Sequence, residues 1–231
     1  MGFIVESLRV ALVLILKGDR EVLSAVVTSL EVAIWSIMFA AMIGIPFGAA
    51  VALRRFPMRG LVRLLLNSLM AMPTVVVGLL VYGVLSRQGP AGSLGLLFTP
   101  KAIVIGQAIL AVPVVSNYTL SAIEGADRAI LPTARTLGAS NLQSTLQLAK
   151  EVRFGVIAAV VAGFGRVVSE VGVAMMLGGN IRFYTRTMTT AIALETSKGE
   201  FAFGLALGII LMAVSLAVNV VLTAAQGSSR A

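Results

Sequence analysis

The chain has 231 residues, of which 58% are hydrophobic and only 12% are charged, and its formal net charge is +8. Soluble domains carry about 25% charged residues, so this composition excludes an ordinary water-soluble protein and predicts an integral membrane protein. The chain contains neither Cys nor His, which excludes disulfides, thiolate metal sites and the commonest general base.

The N-terminal segment, residues 1–21, is apolar from Phe3 to Leu16 but carries Glu6 and Arg9. A membrane-spanning helix needs about 20 apolar residues, and this stretch is shorter than that. We therefore predict an amphipathic helix in the membrane interface, with a short sixth span as the alternative.

Residues 22–231 are predicted to form one all-α transmembrane domain with five spanning helices and no soluble domain. Each predicted span is an apolar run that is long enough for a tilted helix. The five runs are 32–53, 64–86, 102–123, 154–180 and 202–229.

The first loop between spans contains four arginines and no acidic residue. Short loops rich in Lys and Arg face the cytoplasm, so this loop and the later loop 125–153 are predicted to be cytoplasmic. An odd number of spans then places the N-terminus outside and the C-terminus in the cytoplasm. The positive charge is thereby assigned to membrane topology rather than to nucleic-acid binding. The four arginines are Arg54, Arg55, Arg59 and Arg63.

The loop 125–153 has the pattern of two short helices joined by a turn. Pro132 suits the first turn of a helix, and Gly138 suits a helix stop. Ser140 followed three residues later by Gln143 is the pattern of a capping box. The sequence therefore predicts a helix, a glycine turn and a second helix.

The second of these helices has an apolar face. Leu142, Leu146 and Ala149 recur at helical spacing. An apolar face on a helix outside the membrane is typical of a surface that docks into a groove of a partner. A solvated connector between two spans is the alternative interpretation.

Two charged residues, Arg166 and Glu170, interrupt the fourth apolar run. A lone charge inside a membrane costs at least about 2.5–3.5 kcal/mol, and a spacing of four residues allows the two side chains to pair. We interpret them, with the neighbouring Ser169, either as a structural pair that locks helices together or as a gate. Pro73 predicts a kink in the second span, which is either a packing bend or a bend at the transport pathway beside Thr74.

The segment after the fourth run combines glycines, hydroxyls and an arginine. Hydroxyl and guanidinium groups suit a tetrahedral oxyanion, because its oxygens accept hydrogen bonds and donate none. We predict an outer mouth, gate or binding-protein contact here, with a polar interfacial loop as the alternative. The residues concerned are Gly178, Gly179, Asn180, Thr185, Arg186, Thr187 and Thr190.

The sequence Ala-Arg-Thr-Leu-Gly-Ala-Ser at 134–140 resembles the centre of the "EAA" loop of bacterial ABC importer permeases. The ends of the pattern differ, because Pro132 and Thr133 replace its Glu-Ala start and Lys150 and Glu151 replace its Leu-Pro end. In that family the loop is the coupling helix that docks on the ATPase subunit. The resemblance thus implies an ATPase contact through Pro132, Ala134, Arg135, Thr136, Leu137, Gly138, Ala139, Ser140, Leu142 and Leu146.

Three further segments, 164–172, 178–181 and 185–190, together resemble the tungstate/molybdate oxyanion group of these permeases. They read Phe-Gly-Arg-Val-Val-Ser-Glu-Val-Gly, Gly-Gly-Asn-Ile and Thr-Arg-Thr-Met-Thr-Thr. The resemblance implies a type I ABC importer permease fold in a bacterial or archaeal cytoplasmic membrane. Its implied partners are a second copy of the chain, two cytoplasmic ABC ATPase subunits and an extracellular or periplasmic oxyanion-binding protein.

The expected function is the membrane subunit of an ATP-driven oxyanion importer, with tungstate as the favoured substrate. The sequence has no phosphate-binding Gly-x-x-x-x-Gly-Lys-Ser/Thr loop. No enzyme activity, metal or cofactor is therefore expected in this chain, and ATP and Mg²⁺ are assigned to the partner ATPase. The alternatives are a permease for molybdate, sulfate or another small solute, and an ATPase-independent channel or secondary transporter.

Overall fold

The computed structural model describes residues 2–54, 56–127 and 129–227, and within these ranges it contains eleven α-helices, one short 3-10 turn and no strand. An all-α fold is thus confirmed for the described part of the chain. Arg55 and Arg128 lie outside these ranges. Residues 228–231 also lie outside them, and with them the C-terminus, which is predicted to be cytoplasmic. The helices are α1 (Gly2–Lys17), α2 (Arg20–Leu53), α3 (Arg59–Met70), α4 (Thr74–Leu85), α5 (Pro100–Glu124), α6 (Ile130–Thr136), α7 (Asn141–Glu151), α8 (Arg153–Val168), α9 (Gly172–Gly178), α10 (Met188–Ser197) and α11 (Phe201–Gly227).

Three helices, α2, α5 and α11, are individually long and apolar enough to cross a membrane. Two further pairs meet this criterion only when they are combined: α3 with α4, bent by 95°, and α8 with α9, bent by 60°. Up to five spans result if each bent pair is one span, so the count of five stays a prediction.

The N-terminal helix α1 has 16 residues and packs against α11. Ser7 and Ala11 are buried, and the rings of Phe3 and Phe201 lie 5.5 Å apart. Its position in or across the membrane stays a prediction. The division at residue 21 falls in the first turn of α2, whose cap is Asp19.

The long helices α2 and α5 form the centre of the fold. A Cβ atom on Gly44 of α2 would lie only 3.0 Å from Cβ of Val115 on α5, which shows how closely the two backbones approach. Small residues permit this kind of packing between membrane helices. Around this contact lies a core of mostly small aliphatic side chains that includes Ala33, Ala40 and Ala111.

The prediction of a kinked but unbroken helix over 64–86 is wrong. α3 ends at Met70, and α4 begins at Thr74 after Pro73. Proline lacks an N–H donor and disfavours helical backbone at the preceding residue, and the chain breaks rather than kinks here.

The prediction of one continuous helix over 154–180 is also wrong, because α8 ends at Val168 and α9 begins at Gly172. Near the end of α8 the Ser169 hydroxyl donates to the Gly165 carbonyl over 2.8 Å. Serine side chains compete with the helical backbone for such acceptors and favour helix ends.

The helix α5 connects the two ends of the fold. Near its start, the Phe98 N–H donates to the Leu177 carbonyl over 2.8 Å, so the segment after α9 lies beside it. At its other end, Glu124 leads directly into the loop 125–153. At about 1.5 Å per residue, the 25 residues of α5 separate these two regions by about 37 Å.

Candidate functional site

The two helix breaks lie against each other, because α4 packs on α9. A Cβ atom on Gly172 would lie 2.9 Å from the Thr74 hydroxyl oxygen and 3.4 Å from Oε1 of Glu170. We call this region the break junction and define it as Thr74, Arg166, Glu170, Gly172 and Thr189. It brings the predicted pathway residue Thr74 next to the predicted Arg166–Glu170 pair.

Glu170 is held from three sides. Its Oε2 lies 2.7 Å from Nη1 of Arg166, and its Oε1 accepts the N–H of Val173 over 3.2 Å. The Glu170 carbonyl accepts the hydroxyl of Thr189 over 2.7 Å. Pairing between Arg166 and Glu170 is therefore present, although Glu170 lies beyond the end of α8 rather than on a continuous helix.

The two partners of this pair differ in exposure, with 3% of the Glu170 side chain and 30% of the Arg166 side chain accessible. A buried carboxylate is tolerated only when it is paired and hydrogen-bonded. Glu170 thereby links the end of α8, through Arg166, to the start of α9, through Val173. Ser169 and Pro73 lie in the two links and are exposed.

The hydroxyls predicted for the outer mouth are buried and bonded within the protein. Thr185 donates to the Gly178 carbonyl over 2.5 Å and accepts the N–H of Ile181 over 2.9 Å. Thr187 and Thr190 form the capping box that begins α10. These contacts favour the alternative of a structural polar loop for the three threonines.

The glycines and Asn180 in the same segment shape the turn after α9. Gly179 and Asn180 both have positive φ, of 68° and 51°. A Cβ on Gly178 would lie 2.6 Å from Cδ1 of Ile103, so a larger residue would collide with α5. The Asn180 amide donates to the Thr190 carbonyl over 3.4 Å.

The buried Arg186 is the centre of an ionic network that we call the outer charge cluster, after the predicted outer mouth. The cluster consists of Glu21, Arg182, Arg186, Glu195 and Lys198, and it borders a cavity of about 340 Å³. Arg186 pairs with Glu21 and, over 3.4 Å, with Glu195. Arg182 pairs with Glu21, and Lys198 lies 2.9 Å from Glu195. Two carboxylates thus hold the guanidinium that the sequence had suggested for an oxyanion.

Beyond the C-terminal end of α5, the helices α6 and α7 form the predicted helix pair. Gly138 in the turn has a φ of 87°, and the capping box of Ser140 and Gln143 is present. Both predicted features are confirmed. Pro132 lies in the first turn of α6, also as predicted.

The apolar face of this helix pair has no covering partner within the described residues. The exposed fractions are 82% for Leu137, 70% for Leu142 and 53% for Leu146, whereas Leu148 on the opposite side of α7 is buried. The other predicted coupling residues lie on α6 or in the turn, and these are Ala134, Arg135, Thr136 and Ala139.

Several residues of these sites escaped the sequence analysis. Thr189 stands in the noted Thr-Met-Thr-Thr run, and Gly172 closes the noted Ser-Glu-x-Gly element, so both carried a usable signal. Glu21 and Glu195 carried no such signal. Glu21 contacts Arg186 across 165 residues of sequence, and no sequence pattern predicts a contact of that kind.

The family described as "Binding-protein-dependent transport system inner membrane component" matches residues 44–228. The chain belongs to this family. The match covers the break junction and the α6–α7 helix pair.

Curated relatives of this permease include the tungstate uptake system permease protein TupB of Campylobacter jejuni, which is 39% identical over 95% of this chain and 92% of the relative. The TupB protein of Peptoclostridium acidaminophilum is 37% identical over 98% of this chain and 99% of the relative. The molybdenum transport permease ModB of Escherichia coli K12 is 28% identical over 76% and 81%.

A crystal structure of an amino acid ABC transporter with histidines matches the permease with a TM-score of 0.67 at 15% sequence identity. The match covers 90% of this chain and 94% of the other. The chain therefore shares the fold of an ABC transporter permease, as the sequence resemblance implied.

Proposed function

We propose that the chain is the membrane subunit of an ATP-driven importer of a tetrahedral oxyanion, with tungstate as its substrate. Its similarity to two permeases named for tungstate uptake, which exceeds its similarity to a molybdenum permease, carries the choice of substrate. The binding-protein dependence of the family supports an importer over an ATPase-independent channel or secondary transporter.

The proposed energy source is a pair of ABC ATPase subunits that bind ATP and Mg²⁺ and dock on the helix pair α6–α7. The exposed leucines Leu137, Leu142 and Leu146 support this role, because such a face fits a groove in a partner. In this arrangement the loop 125–153 is cytoplasmic. The outer charge cluster then faces an extracellular or periplasmic binding protein.

The proposed pathway lies between two copies of the chain in the cytoplasmic membrane. We place the break junction beside this pathway, with the Arg166–Glu170 pair as a gate whose contacts change when the two copies rock. The main-chain breaks at both spans support this placement, since non-helical backbone at membrane depth is tolerated only within protein or beside a water-filled path.

The docking role is tested by the double substitution Leu142→Gln and Leu146→Gln. Glutamine has a helix propensity close to that of leucine, so α7 is expected to persist while its apolar face is lost. We expect co-purification with the ATPase subunit and ATP-dependent tungstate uptake to be abolished. The matched control is Thr145→Gln, an exposed position elsewhere on the same helix, which should retain both.

Uptake that persists in the double variant without a bound ATPase would contradict the ABC mechanism. The substrate is tested separately by measuring accumulation of tungstate, molybdate and sulfate, each in competition with the others, in cells that express the complete transporter. Preferential accumulation of molybdate or sulfate would replace tungstate by the alternative oxyanion and leave the docking result intact.

A further inference from the structure

The side chains of Glu124 and Arg59 together join the ends of three helices beside the loop 125–153. Glu124 is the last residue of α5, and its Oε1 lies 2.8 Å from Nη2 of Arg59 at the start of α3. Arg63, one turn later, pairs with the other oxygen of Glu124. Arg59 also donates to the Ala52 carbonyl near the end of α2 over 2.8 Å. The start of α3 is therefore tied to the residue at which the chain enters the helix pair.

The helix pair α6–α7 lies next to this contact but is not packed tightly against it. A polar cavity of about 820 Å³ lies between them, with Arg59, Arg63 and Glu124 on one side and Pro132 and Arg135 of α6 on the other. The main helix contact of α6 is with α7 rather than with a spanning helix. A movement of the helix pair relative to the bundle would enter α5 through the main chain at Glu124.

From this contact, α3 leads to the break junction. Leu66 in the middle of α3 packs with Val51 of α2 and Leu120 of α5, so α3 rests on a small apolar contact. α3 ends at Met70, and only three residues separate it from Thr74 in the break junction. A tilt of α3 about its middle therefore displaces the start of α4 relative to Glu170.

We infer that Glu124 is a positioning residue that transmits the movement of the helix pair α6–α7 to the break junction, by holding α3 through Arg59 and Arg63. This inference rests on the proposed function, in which the ATPase moves that helix pair. The ion pairs suit such a role because they are partly exposed, with accessible side-chain fractions of 34% and 49% for the arginines and 26% for Glu124. Ion pairs of this kind contribute little to stability, so their removal should change coupling more than folding.

The test uses the complete transporter, with its ATPase and binding protein, reconstituted in liposomes. Glu124→Gln should keep assembly and basal ATP hydrolysis while tungstate uptake per ATP hydrolysed falls by about tenfold. Unchanged thermal stability of this variant separates coupling from a merely structural role, and adding Arg63→Gln should lower uptake per ATP little further, because both side chains act through the same contact. The matched control is Asp127→Asn, which lines the same cavity and takes part in none of the described ion pairs.

Unchanged uptake per ATP in Glu124→Gln would overturn the inference, and so would a second, full loss of uptake per ATP when Arg63→Gln is added. If Glu124→Gln fails to assemble, Arg63→Gln gives the decisive measurement, because it removes one ion pair and keeps the Arg59–Glu124 contact. Absence of ATP-dependent uptake by the unsubstituted transporter would instead refute the proposed function itself. The two failures are therefore distinguishable within one experiment.

Discussion

At Gly172 the absence of a side chain is a requirement of the break junction. An added Cβ would lie 2.9 Å from the Thr74 hydroxyl oxygen and 3.2 Å from Cγ2 of Val75, which is too close for either neighbour to remain in place. Gly172→Ala is expected to destabilise the protein by about 1–3 kcal/mol, the usual cost of overpacking, and to reduce uptake. Thermal unfolding of the purified protein, together with an uptake assay, measures both effects.

A control for this substitution is available on the preceding helix. Gly165 has no neighbouring atom within 4 Å of its Cβ position, and alanine is favoured over glycine in helices. Gly165→Ala should therefore leave stability unchanged or raise it. Equal stability of the two variants would show that α4 and α9 do not meet as closely as described.

Residue contacts that are close in sequence could be predicted, and distant ones could not. The capping box of Ser140 and Gln143 and the pairing of Arg166 with Glu170 follow from fixed spacings of three and four residues. The partner of Arg186 does not follow from any fixed spacing, because the contact between Arg186 and Glu21 depends on the relative position of α2 and α10. An unpartnered arginine beside several hydroxyls resembles an anion site in sequence, and the tertiary structure supplies the carboxylates.

At the scale of elements, the outer charge cluster ties the start of α2 to the segment before α10. If Arg186 serves this structural link, Arg186→Gln and Glu21→Gln should each lower the free energy of unfolding, and the double variant should be little worse than the more damaging single one. The coupling energy expected for such contacting residues is about 0.5–3 kcal/mol. Thermal or denaturant unfolding of the four proteins in a double-mutant cycle gives this value.

The same cycle separates the structural role from contact with the substrate. A direct contact between Arg186 and the oxyanion would make Arg186→Gln raise the substrate concentration required for half-maximal uptake, while Glu21→Gln would not. Additive losses of stability combined with that kinetic change would contradict the structural link.

The apolar runs of the sequence indicate the candidate membrane spans, but they do not indicate the residues at which the helices end. The run 64–86 contains Pro73, whose effect on the backbone was foreseen as a kink and proved to be a full break. The run 154–180 contains no proline, and the contact of the Glu170 carbonyl with Thr189 at its interruption joins residues 19 apart in sequence, which only the fold brings together. Mean hydropathy does not reveal such breaks because the residues on either side of them are apolar.

For the molecule as a whole, the absence of cysteine allows the predicted orientation to be measured without a background signal. Tyr184→Cys replaces a half-exposed residue of the outer segment, and Met58→Cys replaces an exposed residue of the arginine-rich loop. A membrane-impermeant maleimide should label Tyr184→Cys in intact cells and Met58→Cys only after permeabilisation. The reverse pattern would show that the chain is inserted in the opposite orientation.

The class of the molecule was predictable because it depends on composition, whereas its assembly depends on surfaces. A chain with 12% charged residues has too little polar surface to be soluble, whichever way it folds. The exposed leucines of α7 could be anticipated from the spacing of Leu142 and Leu146 alone. The placement of α1 against α11 could not be anticipated, because the short apolar stretch of α1 is compatible with contact to lipid and with contact to protein.

The two interrupted spans lower the barrier to a change of shape within the membrane. Bending an intact helix in lipid breaks main-chain hydrogen bonds, each at a cost of several kcal/mol. At 71–73 and 169–171 the regular helical pattern of these bonds is already interrupted, because the N–H groups of Ala71, Met72 and Glu170 donate to carbonyls three residues back. Ser169 and Thr189 satisfy carbonyls at or beside the second interruption. Rotation about a few backbone torsions in these links leaves the flanking helices whole, so side-chain contacts, rather than helix rupture, determine the rate of such a movement.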